Sequence, residues 1–218
     1  MSTEQPAGGK GRYFTVIDGT FRVQVPKDHP EAVEREWSTK DGKSGVKYER
    51  HVKALFGRIE GISITEGEFG KNLNIALDET EDGETPIISV GLSSRHGESL
   101  LKLLPNLEPG QEYRFMPYQF EDTGKRGVSV AGKDSDGNFT EKVLNFYTKQ
   151  EGDKWVPANG YPEPTEEDKS DWPFYYKRAS KFMEKYATEN VLPKFKQEEK
   201  GFEYPAGDEV NPEDLPAF

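Results

Sequence analysis

Between Trp37 and Lys71 the chain interleaves cations with aromatic rings: Trp37, Lys40, Lys43, Lys47, Tyr48, Arg50, Lys53, Phe56 and Arg58, then Phe69 and Lys71. These residue types suit non-covalent recognition of a flexible polyanion that carries flat rings. Lysine and arginine track phosphates, aromatic faces receive bases, and every base has a π-face to offer, so no base sequence is demanded. A further set lies farther on. Tyr113 and Phe115 share one strand parity, while Arg114, Met116 and Tyr118 share the other. Only one set can pack inward, and Tyr113 and Phe115 are assigned to the ligand face.

Covalent and metal chemistry find less support. Gly42-Lys43-Ser44 has the end of a phosphate-binding loop, but the glycine needed five residues earlier is Trp37. Asp134-Ser-Asp-Gly-Asn138 resembles the start of a calcium loop, yet its twelfth position is Asn145 instead of glutamate, so it reads as an Asx-rich turn. His29, His51 and His96 stand apart from one another in a chain without cysteine. No nucleophile elbow or dinucleotide fingerprint is present. We expect no metal, no cofactor and no enzymatic activity.

The elements that must position the cations and rings run from about Val52 to Lys133. Residues 54–65 form a long strand in which Leu55 and Ile59 share one parity and Ile62 and Ile64 the other. The switch at Gly61 predicts a bulge or bend. Residues 66–70 turn the chain into an alternating strand with Leu73, Ile75 and Leu77 inward. Asp82-Gly83 marks a hairpin into a third strand, Pro86 to Leu92. Ser94 caps a helix over His96 to Leu104, which Pro105 closes. Glu112 to Phe120 and Val128 to Val130 supply two more strands. Strand, strand, strand, helix, strand, strand is the plan of the OB-fold, a small, partly open Greek-key barrel.

Gly57-Arg-Ile-Glu-Gly61, Glu68-Phe-Gly70, Leu73-Asn-Ile-Ala-Leu77 and the end Pro212-Glu-Asp-Leu-Pro-Ala-Phe218 resemble OB-fold single-stranded DNA-binding proteins of the bacteriophage type. The resemblance implies coating of single-stranded DNA in replication, recombination and repair. It also implies recruitment of replication and recombination proteins through Glu213, Asp214, Leu215, Pro216 and Phe218. In that family the tip also competes with DNA for the protein's own groove. Here Ala217 separates Pro216 from Phe218, and the acids are fewer and more scattered. A cytoplasmic location follows, that of the host cell for a phage protein. Residues 1–50 and 140–196 carry no part of the resemblance.

The formal net charge of −11 is unevenly placed. Residues 197–218 hold seven acids and one base, and residues 150–171 hold seven acids and two bases, so these two segments account for the whole excess. Residues 172–196 carry +4 and residues 1–58 carry +3. Outside the two acidic segments the chain is neutral overall, with basic stretches at 1–58 and 172–196, and such a distribution is compatible with nucleic acid. The rival expectation is an acidic adaptor or DNA mimic in which the barrel is only a scaffold.

The expected organisation is mainly β. Residues 1–11 form a disordered start, and residues 12–149 an OB-fold barrel extended by an N-terminal β-hairpin that turns at Asp18-Gly19. Residues 26–46 are expected as a polar loop with a helical turn at 31–37, and residues 141–148 as a strand. Residues 150–171 are an acidic linker, residues 172–196 an amphipathic helix capped by Asp171, and residues 197–218 a disordered acidic tail. No apolar run is long enough to span a membrane, and homo-oligomerisation is left open.

Overall fold

The computed structural model describes residues 10–38, 42–67, 70–81 and 83–195. Lys40, Phe69 and the acidic segment with Glu213, Asp214, Leu215, Pro216 and Phe218 lie outside them.

The first hairpin pairs β1 (Lys10–Ile17) with β2 (Thr20–Gln24). Its two turn residues, Asp18 and Gly19, have φ of 49° and 71°. Positive φ at both central positions matches the twist of the flanking strands. Phe14, Phe21 and Val23 point into the core. A second hairpin follows where a loop and helical turn were expected: β3 (Val33–Ser38) pairs with β4 (Ser44–Val52). The sequence Val-Glu-Arg-Glu-Trp-Ser hides this strand because β3 is the sheet's edge, wetted on both faces, and needs no alternating pattern.

β5 (Leu55–Gly67) is the long strand, and its register against β6 (Gly70–Leu77) shifts between Ile59 and Gly61. The bulge lets Leu55 and Ile59 face inward before it and Ile62 after it. Leu73, Ile75 and Leu77 of β6 are fully buried, as the alternation requires. After β7 (Glu84–Gly91), Ser94 caps α1 (Arg95–Leu103), its side chain accepting from the Gly97 N–H at 3.0 Å. Gly97 is needed for packing, because a Cβ there would stand 2.3 Å from the Gly91 carbonyl oxygen. β8 (Glu112–Gln119) and β9 (Arg126–Gly132) complete the core strands.

Of the strand expected at 141–148 only β10 (Glu141–Lys142) pairs, against the end of β9. Its apolar residues serve another purpose: Tyr147 is buried among the rings of Phe146, Tyr161, Phe182 and Tyr186, at centroid distances of 5.2, 5.5, 5.9 and 5.8 Å. Nor is the acidic stretch after it a free linker. It holds the hairpin β11 (Thr148–Glu151) and β12 (Lys154–Pro157), and its Asp168 is buried against Thr165 and Arg178. The Asp171 carboxylate accepts from the Phe174 N–H at 3.1 Å and opens α2 (Trp172–Tyr186). A π-helical turn (Ala187–Val191) and a 3-10 turn (Leu192–Phe195) continue it. Tyr175, Ala179, Met183, Ala187, Val191 and Phe195 form its buried stripe.

Among the described residues ten strands make one mixed sheet, in the order β10-β9-β8-β5-β6-β7-β1-β2-β4-β3. All pairs are antiparallel except β1 with β7. No ladder closes this sheet into a barrel. β2 nevertheless comes alongside β8, and a Cβ on Gly19 would lie 2.7 Å from the Gln119 nitrogen. Among the described residues no helix is long and apolar enough to cross a membrane.

Candidate nucleic-acid interface

On β8 the two parities are now separated. Tyr113 and Phe115 are 5% and 0% exposed, and the Tyr113 hydroxyl accepts from the Glu108 N–H. Their assignment to the ligand face is corrected: they are core. The signal against it was Arg114, since a guanidinium is almost never buried unpaired and fixes its own parity as the outer one.

That outer parity forms a cluster of rings and charge. Phe56, 55% exposed, lies directly opposite Arg114 across the β5–β8 ladder. The Phe139 ring meets it edge-on at 5.2 Å, with the Lys133 ammonium 5.4 Å from the Phe139 centroid. Tyr118 and Phe120 continue the row, with ring centroids 5.3 Å apart. Arg58 is on the same face, held by Asp78 at 3.3 Å, while its backbone N–H donates to the same carboxylate at 2.9 Å. Gly57, at φ 155°, makes room for that carboxylate, because a Cβ there would be 2.5 Å from Asp78 Oδ1.

A second cluster sits on β3 and β4. Trp37 lies across Gly45, where a Cβ would be 3.0 Å from the indole, and the Lys47 ammonium is 5.5 Å from the ring centroid. Arg35, paired opposite Lys47, grips Glu49 through two hydrogen bonds of 2.9 and 2.7 Å, and Arg22 approaches the same carboxylate at 3.7 Å. Burial opposes ionisation of Glu49, but the Arg35 hydrogen bonds and the two arginine charges outweigh it and hold the carboxyl below its usual range. Asp18 also holds Arg22, at 2.8 Å, so two carboxylates tie down the two guanidiniums and Lys47 is left against the indole.

A polar cross-strand row lies on the strands between the clusters, offset from both: its β5 end, Ser63, is seven residues along the strand from Phe56, and its β4 end, His51, is four residues from Lys47. Ser63, Asn74, Ser89, Thr15, Arg22 and His51 stand opposite one another in turn from β5 to β4. Six strands at ~4.8 Å make this row about 24 Å long, and its β5-side half is floored by side chains no larger than Asn. Nearby, Thr15, Asn72, Ser89, Gly91, Ser94 and His96 line a depression of about 290 Å³.

The other expected residues divide. Lys53 is exposed, and among the described residues no carboxylate pairs with Lys47, Lys53 or Arg114. Lys43 lies beside the β3–β4 turn. Tyr48 and Arg50 fall on the opposite face from Trp37, where the Tyr48 hydroxyl donates to Glu34 at 3.2 Å and Arg50 pairs with Glu31 at 3.7 Å. Lys71 is tied to Glu184 of α2 at 2.5 Å, and that hydrogen bond raises its pKa. Tyr13, exposed on the outer face of β1, and Phe139 escaped sequence reasoning because neither belongs to a recognisable basic run.

Among the described residues no group of His, Cys, Asp and Glu is arranged to hold a metal ion. Compared with family models, with curated proteins and with solved structures, the chain finds no match.

Proposed function

We propose that the chain binds single-stranded DNA by coating it, without chemistry, along the outer face of the sheet. The observation that carries this reading is the placement of the exposed Phe56 opposite Arg114, and of Trp37 beside Lys47, as two ring-and-cation pairs on the outward parity of the sheet. Bases stack on the exposed rings at ~1–3 kcal/mol each, and the free cations receive phosphates. The long bulged β5, which pairs with β6 through one half and β8 through the other, supports an OB-type arrangement of β5 to β9 around α1. A role in phage-type replication, recombination and repair, and recruitment of partner proteins through residues 213–218, rest on the sequence resemblance.

The test is a fluorescence titration with oligo(dT), duplex DNA and RNA of equal length at two salt concentrations. We expect oligo(dT) to bind well above duplex, with affinity falling as salt rises. Equal binding to duplex, or no salt dependence, would sink the proposal.

A further inference from the structure

Among the described residues, one face of α2 packs against no other element. Phe174, Lys177, Lys181 and Lys185 follow one another at helical spacing on the side away from Tyr175, Ala179 and Met183. Phe174 is 60% exposed, and among the described residues no carboxylate pairs with Lys177 or Lys181. Lys185 reaches Glu189 only at 3.9 Å. Beside this face Lys181 and Lys185, with the Lys71–Glu184 ion pair, Thr188 and Glu189, line a depression of about 360 Å³.

One flank of the same helix already holds acidic chain. Asp168 pairs with Arg178, the Tyr175 hydroxyl donates to the Pro162 carbonyl at 3.1 Å, and Arg178 donates to the Glu163 carbonyl at 3.1 Å. Among the described residues Lys177 and Lys181 have no such counterpart.

The sequence supplies one. The described chain stops at Phe195, buried beyond the C-terminal end of α2, and 23 residues follow, 196 to 218. Of these, 197–218 carry seven acids against one base. A segment of that length has a root-mean-square span of ~25–29 Å and an extended reach of ~75 Å, and α2 with its continuation to Phe195 is at most ~35 Å long, so the lysines nearest Phe195 lie within its ordinary span and Phe174 within its reach. Glu198, Glu199, Phe202, Glu203 and Tyr204 alternate rings with carboxylates, as the helix face alternates a ring with ammonium groups. Tethering gives such contacts an effective concentration of order millimolar.

We propose that residues 197–218 dock in cis on the Phe174, Lys177, Lys181 and Lys185 face of α2. This contact is separate from the sheet face assigned to DNA and does not depend on that assignment.

The test compares amide NMR spectra of the full chain with those of a chain ended after Lys196, at low and high salt. Truncation should shift the amides around Phe174, Lys177, Lys181 and Lys185, independently of protein concentration, and the difference should vanish at high salt. In the full chain, Lys177→Glu with Lys181→Glu and Lys185→Glu should release the segment, so that its resonances match those of the free peptide 197–218. Unchanged α2 amides on truncation would overturn the proposal. So would shifts confined to Phe56, Arg114 and Trp37, which would place the segment on the sheet, or shifts that grow with protein concentration, which would make the occupant a second copy. α2 amides that move with oligo(dT) but not with truncation would make the face a nucleic-acid contact and would also overturn it.

Discussion

Phe56 and Phe115 sit on neighbouring strands, one turned to solvent and the other to the core. Phe56→Ala should weaken oligo(dT) binding by about 1–3 kcal/mol, as removal of a stacking platform does. Its effect on stability should stay within about 0.5 kcal/mol, as for other exposed sites. Phe115→Ala should cost about 3–5 kcal/mol in a denaturant titration by leaving a cavity. Reversed outcomes would refute the inward and outward assignments. Glu49 offers a pH test. Its folded pKa lies below its unfolded one, so its stabilising contribution is complete above the unfolded value of about 4.3 and is lost as pH falls through the folded value. Arg35→Ala removes the leading cause of the depression. It should cost about 1.5–3 kcal/mol at pH 7, and urea melts across pH 7 to 3 should show a smaller loss of stability on acidification than in the parent, because the folded pKa of Glu49 then rises toward or past the unfolded one.

At the scale of the element, α1 is held by a glycine that intrinsic propensity would replace. Gly97→Ala offers about 1 kcal/mol of helix propensity, but its methyl would press on the Gly91 carbonyl, a backbone atom that cannot turn aside. The clash should win, with a net loss of about 1–3 kcal/mol and a lower melting temperature. A stabilised variant would show that α1 can slide on β7. The sequence makes such elements legible where one face is wet and the other dry. Leu73, Ile75 and Leu77 declare β6, the parity switch near Gly61 declares the bulge in β5, and Ser94 and Asp171 declare the two helix starts. It is silent where that contrast fails. β3 has no dry face, and its Glu34, Arg35 and Glu36 discourage pairing with a further strand. On β8 both parities carry aromatics, so only the charge on Arg114 separates them. Val143, Phe146 and Tyr147 look like a strand because they are apolar, but their partners are rings on α2 and its preceding loop, which local periodicity does not encode.

For the molecule as a whole, the cations on the sheet face that have no carboxylate partner among the described residues include Lys47, Lys53 and Arg114. Replacing Lys47, Lys53 and Arg114 together by Ala should flatten the salt dependence of oligo(dT) binding by about 2 in log–log slope, since each phosphate contact on a single strand contributes about 0.7. An unchanged slope would place the strand elsewhere. The parallel pairing of β1 with β7 bears on how the chain is made. Arg12 lies opposite Pro86, its partner 74 residues later, whereas β1 to β4 pair among themselves. At synthesis rates of ~5–20 residues per second, the first four strands emerge several seconds before β7 does. During that interval the outer edge of β1 is an open template beside Phe14 and Phe21, so nascent chains arrested before Gly91 are the species most exposed to strand-to-strand misassembly.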